Sequence, residues 1–177
     1  MISDLRYVRK ALKGNKNAFG KLVEFYRDQI LYLAYDYLGN YEEAKDAAQD
    51  VFVKAYENLK QFNQDAKFKT WLYRIAINTS LDYLRKRKSK NETQYKIKLN
   101  DAEILHENAK IDLWDDIFNK AINELSEKQY SALVLKYFHD KSTTEISEIL
   151  ECDINTVRVH LHRAIEKLKQ IYRNSEK

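Results

Sequence analysis

Proline is absent from this chain of 177 residues, and glycine occurs only at Gly14, Gly20 and Gly39. Tight hairpin turns draw heavily on those two residue types, so a many-stranded sheet is excluded and helices joined by short polar turns are expected. Cysteine is as scarce. The single Cys152 cannot close an internal disulfide, and with no CxxC pair there is no zinc or dithiol signature, so no cofactor is expected. A reducing, cytoplasmic setting follows from that cysteine usage. Long apolar runs are also missing: Ile30 to Tyr35 is the longest, far below the roughly 20 residues that span a bilayer, so no membrane insertion is expected. The first residues carry Arg6, Arg9 and Lys10 without an apolar stretch behind them, which reads as no secretory signal. A phosphate-cradling glycine loop, metal-ligand spacing and a nucleophile beside a base are likewise absent, so the chain is read as non-catalytic.

Against these absences stand 44% hydrophobic and 33% charged residues, enough apolar material for a core. The net charge of +4 is unevenly spread: +1 over 1–62, +6 over 63–90, −5 over 91–127 and +2 over 128–177. A cationic block raises affinity for phosphate backbones and an acidic one repels them. Nucleic-acid contacts are therefore expected on either side of an acidic stretch.

Apolar residues recur at helical spacing from Leu5, and Gly14-Asn15 gives the first stop. Phe19, Leu22, Val23, Tyr26, Ile30, Leu33, Ala34 and Tyr37 describe a second amphipathic helix ended by Gly39-Asn40. A third is expected from about Tyr41 to Leu59 and a fourth from about Thr70 to Arg87. Residues 89–110 hold no period and read as a flexible linker, which divides the chain into a helical domain over 1–88 and a second over 111–177. That second domain should contain four helices. The first carries Trp114, Ile117, Phe118, Ala121, Ile122 and Leu125, and Ser126 to Gln129 forms a capping box for the next. A short helix carries Ile146, Ile149 and Leu150, and after Glu151-Cys152-Asp153 the last helix starts with Asn155 as its N-cap.

A short helix, a three- or four-residue turn and a longer helix have the dimensions of a helix-turn-helix, whose second member enters the major groove. On a helical wheel Val157, Leu161, Ala164 and Leu168 face the core. Asn155, Thr156, Val159, His162 and Arg163 fall opposite, with Arg158 and His160 on the flanks; these are base-reading and phosphate-binding types. The cations alone would suit a solvated face, but an exposed Val159 suits a thymine methyl better than water.

Two further surfaces stand out in the first domain. The run Phe62, Asn63, Gln64, Asp65, Ala66, Lys67, Phe68 leads into a helix whose one stripe is Trp71, Arg74, Asn78 and Arg85. Aromatics beside cations hold unpaired bases by stacking and phosphate neutralisation, although either ring taken singly is more often core. The third helix exposes Asp46, Gln49, Asp50 and Val53, an acidic strip unsuited to DNA; it reads either as a docking face for a basic protein partner or as a plain solvated face, with Val53 the one hint against the latter. Its buried side is Ala44, Ala48, Val51, Phe52, Ala55 and Leu59.

The segments Asp46 to Tyr56, Phe68 to Asn78 and Thr156 to Arg158 together closely resemble extracytoplasmic-function sigma factors, in that family's order and over nearly the whole chain. The resemblance implies two small helical domains and a promoter-specificity subunit of bacterial RNA polymerase. Asp46, Gln49, Asp50 and Val53 would dock on core polymerase, at the clamp of its largest subunit, with the second-largest subunit a further contact. The loop Asn63 to Lys67 and the face around Asn78 would capture the minus-10 element and help melt it, and the last helix would read the minus-35 element. An anti-sigma factor is a further partner by the same resemblance. Val159, His160 and His162 depart from residues common in the family, so the promoter sequence is not given. An ordinary helix-turn-helix regulator with an N-terminal oligomerisation or ligand domain explains the last third equally, but not the acidic strip and the aromatic-basic block.

Overall fold

The computed structural model describes residues 4–89 and 124–175, and these are helical with no strand among them. They fall into two compact units, one ending at Arg87 and the other beginning at Lys88. Of the linker expected over 89–110, Ser89 is the last residue of a helix and the rest lies outside the described residues, as does the expected helix through Trp114 to Ile122.

In the first unit α1 spans Leu5–Leu12, α2 Lys16–Leu38, α3 Tyr41–Glu57 and α4 Phe68–Ser89. A Gly-Asn pair makes each of the first two corners. Gly14 (φ 87°) and Gly39 (φ 62°) take the left-handed conformation that ends a helix without a Cβ penalty. Gly39 N–H returns to the Tyr35 carbonyl at 2.8 Å. The asparagine that follows starts the next helix: Asn15 accepts from the Ala18 amide at 3.0 Å and Asn40 from the Glu43 amide at 2.9 Å. Both expected stops are found. The third helix ends two residues earlier than its spacing predicts, at Glu57, because the Asn58 side chain donates to the Lys54 carbonyl at 2.8 Å and the chain tightens into a 3-10 turn over Leu59–Gln61. Leu59 is buried all the same, with Leu22, Ile30, Leu33, Tyr37, Val51, Leu72 and Tyr73 in the core.

In the second unit α5 spans Glu127–Tyr137, α6 Thr143–Leu150 and α7 Ile154–Ser175. The expected capping box at Ser126 and Gln129 is present, and a second, Ser142 with Glu145, starts α6. The expected start of the last helix is corrected. The last helix begins at Ile154, with the Val157 amide bonded to the Asp153 carbonyl at 3.0 Å, so Asn155 lies within its first turn and is not its cap. The turn before it forms without glycine: Glu151 takes φ 51° and its amide closes on the Ser147 carbonyl. Tyr130, Val134, Leu135, Ile146, Val157 and Ala164 make the core, whereas Leu168 is half-buried.

Candidate functional site

Along α4, Leu72, Tyr73, Ala76, Ile77 and Thr79 are buried. Trp71 and Arg74 are half-exposed, and Asn78 and Arg85 are open to solvent. The expected stripe of Trp71, Arg74, Asn78 and Arg85 is thus at least half-exposed, beside a buried face. The loop Asn63, Gln64, Asp65, Ala66, Lys67 is exposed throughout and is turned locally by Asn63, whose Oδ1 accepts from the Asp65 amide at 3.1 Å. Its flanks differ from the expectation. Phe62 and Phe68 are buried, with ring centroids 5.6 Å apart in an edge-to-face arrangement and Trp71 at 5.2 and 5.5 Å from them. Neither phenylalanine ring is free to stack on a base. They belong to the core because apolar rings at the two ends of a polar loop lose more water by meeting each other than by facing solvent. Trp71, at the edge of this cluster, keeps part of its indole accessible.

The basic run at the end of α4 also divides. Arg85 pairs with Asp82 at 2.8 Å on the exposed side. Arg87 turns inward, donating to the Leu38 carbonyl at 3.2 Å and to the Glu43 carboxylate, and so ties the end of α4 to the corner between α2 and α3.

On α3, Asp46, Gln49, Asp50 and Val53 are exposed, and Val53 keeps 51% of its surface. Beside them lies a mainly apolar groove of ≈ 720 Å³ between α2 and α3, with Phe19, Val23, Leu31, Gln49, Phe52 and Val53 among its lining. Phe52, expected in the core, is only half-buried because it faces this groove. Polar bridges join α3 to α4, among them an ion pair of Lys54 with Asp82 at 3.8 Å. Tyr83 donates to Asp50 at 2.8 Å, Lys54 donates to Thr79 Oγ1 at 3.1 Å, and Arg87 reaches Glu43. Burial first, then the bond to Asp50 and the negative charge of Asp50, Asp46 and Glu43, pushes the Tyr83 phenol up to about 12.

On α7, Asn155, Arg158, Val159, His162 and Arg163 are exposed and Thr156 is half-buried. Val159 keeps 45% of its surface. Arg158 donates to Asn155 Oδ1 at 2.8 Å, which joins the first two turns of the face. His160 departs from the expected set: it is half-buried, and its Nδ1 is buried without a hydrogen-bond partner among the described residues. Burial above all, then the nearby cations Lys128 and Arg163, holds its imidazole below the usual range. Lys167 donates to the Glu124 carbonyl at 2.6 Å, pinning α7 to the residues before α5. Among the described residues no helix is long and apolar enough to cross a membrane.

Two family models match the chain: sigma-70 region 2 over residues 22–90 and sigma-70 region 4 over residues 115–168. The chain is 36% identical to the ECF RNA polymerase sigma factor SigW of Bacillus subtilis over 94% of its own length and 95% of the relative's. It is 34% identical to the RNA polymerase sigma-H factor of Pseudomonas aeruginosa, over 93% and 91%. Among solved structures, CnrH in complex with the cytosolic domain of CnrY matches with a TM-score of 0.70 at 24% identity, over 96% of both chains. The sigma factor RpoE of Bartonella quintana, bound to the anti-sigma factor NepR, matches with a TM-score of 0.62 at 22% identity, over 88% of this chain and 96% of that one.

Proposed function

The chain belongs to the extracytoplasmic-function group of sigma-70 RNA polymerase sigma factors, and we propose that within its first unit α3 grips the core enzyme while α4 opens promoter DNA, leaving the upstream duplex to α7. As a member of that group it binds core RNA polymerase, directs promoter-specific initiation and is not an enzyme. The observation that supports the division of labour is the separation of two faces of opposite chemistry on adjacent helices. Asp46, Gln49, Asp50 and Val53 offer carboxylates and a bare apolar patch on α3, whereas Arg74, Asn78 and Arg85 offer cations and an amide on α4. DNA is repelled by the first set and drawn to the second.

The acidic strip on α3 suits a basic surface on the clamp of the largest polymerase subunit, with the second-largest subunit a further contact. The loop Asn63 to Lys67, with the accessible edge of Trp71 and the Asn78 amide, forms the seat for an extruded minus-10 base. Extrusion costs a few kcal/mol of lost stacking, which that seat and the polymerase together must offset. In the second unit Arg158 and Arg163 hold phosphates and Val159 meets a thymine methyl in the minus-35 element, with Asn155, Thr156 and His162 beside them. An anti-sigma factor would take the groove between α2 and α3, which is apolar enough to bury a partner's side chains. The protein works in the bacterial cytoplasm, where its polymerase is. An independent helix-turn-helix regulator, the rival reading, gives no role to the α3 strip.

In vitro transcription with purified core polymerase and start-site mapping tests this function. Added protein is expected to select defined start sites. Asn78→Ala should impair promoter opening, followed by permanganate reactivity of unpaired thymines, by tenfold or more while leaving closed binding at the upstream element within about twofold, the scale of one lost base contact in a pocket. Equal losses in both assays would remove the melting role from α4.

A further inference from the structure

We infer that Tyr83 is a positioning residue for core-enzyme docking: from α4 it holds the Asp50 carboxylate of α3 by one oxygen, so that the other is presented to a cation of the polymerase. The inference rests on the docking role proposed for Asp50. Tyr83 and Asp50 lie 33 positions apart in sequence, and the phenol donates to Asp50 Oδ2 at 2.8 Å. Tyr83 is half-buried and Asp50 exposed, so the better-packed partner sets the geometry of the freer one. No corresponding bond restrains Asp46 or Gln49 among the described residues.

A phenol suits this task better than a lysine would. It donates a hydrogen bond without adding positive charge, so Asp50 keeps its full negative charge for a partner. With its pKa pushed up to about 12, the donor proton stays in place at any physiological pH. Fixing a surface side chain before association removes an ordering cost that binding otherwise bears. The phenol is dispensable for the fold, because the two helices are joined on either side of this bond by Lys54 to Thr79 and by Arg87 to Glu43. An exposed hydrogen bond of this kind therefore contributes more to docking than to stability.

The test is a double-mutant cycle on the full chain, with affinity for purified core polymerase measured by fluorescence anisotropy at fixed salt and thermal unfolding followed in parallel. Tyr83→Phe is expected to weaken core binding by about three- to tenfold, the range for ordering one side chain, with an unchanged melting temperature. Asp50→Ala should weaken it further, and adding Tyr83→Phe to Asp50→Ala should change nothing more. Wild-type affinity in Tyr83→Phe, or the same loss from Tyr83→Phe whether or not Asp50 is present, overturns the inference while leaving the docking role intact. Wild-type affinity in Asp50→Ala overturns the docking role itself, and the inference with it.

Discussion

His160 shows how one side chain can leave the surface its helix was expected to give it. The wheel puts it on the flank of the reading face, yet its ring is half-buried with Lys128 and Arg163 nearby. Its pKa in the folded protein is lowered, by burial first, so on acidification the unfolded chain takes up the proton before the folded one does. The stability contributed by the neutral ring is complete above the unfolded value of about 6.5 and is lost as pH falls from there through the lowered folded value. His160→Gln should therefore shrink the drop in melting temperature of the full chain between about pH 7.5 and 5.5; a drop equal to the wild type's would mean that other groups account for it. Phe62 and Phe68 illustrate the same difficulty. Residue type says that a ring stacks, but whether it stacks on a base or on another ring depends on what the fold brings to it, here Trp71 and Tyr26.

Elements were more legible than residues, because caps are local chemistry. The Gly-Asn pairs at 14–15 and 39–40 announce a stop and a start within two residues, and both are used that way. The box at Ser126 was readable for the same reason. Its twin, Ser142 with Glu145, follows the same S-x-x-E rule but precedes a helix of only eight residues, where the apolar pattern is too short to draw attention to its cap. That brevity makes the cap matter more, since a helix so short has little propensity of its own. Ser142→Ala removes both bonds of the hydroxyl, which accepts from the Glu145 amide at 3.2 Å and donates to Glu145 Oε2 at 2.8 Å, and leaves the Ser142 amide's bond to Glu145 Oε2 at 2.9 Å. It should cost about 1 kcal/mol, read as a lower urea midpoint with an unchanged slope. A loss indistinguishable from zero would show that α6 is held by packing alone. The start of α7 was misplaced by the opposite error: Asn155 is a good cap by type, but Asp153 stands two residues earlier and the helix takes the first start signal it meets.

At the scale of the whole molecule, the sequence made the sign of each surface plain and left its joins hidden. The +6 block over 63–90 and the acidic strip on α3 are properties of composition and helical period. The groove between α2 and α3 and the bridges Asp50–Tyr83 and Glu43–Arg87 link residues dozens of positions apart, and no local pattern announces them. Arg87, counted with the DNA-binding cations by its neighbours in sequence, is committed to the fold. The remaining exposed cations should make promoter binding by the holoenzyme salt-dependent. Each phosphate contact contributes about 0.9 to the slope of log K against log salt, so Arg163→Ala should reduce that slope by roughly 1 across many promoter sequences. An unchanged slope would take Arg163 off the phosphate backbone.

The exposed loop from Asn63 to Lys67 hangs between two rings sunk in the interior. Apart from Asn63, whose side chain turns the loop, such a span can be rewritten without disturbing what anchors it, since all five side chains are exposed. Under the role proposed for this loop, drift there would alter which bases are accepted while the scaffold stays the same, so daughter copies of the gene would part company in the promoters they serve long before they part company in shape.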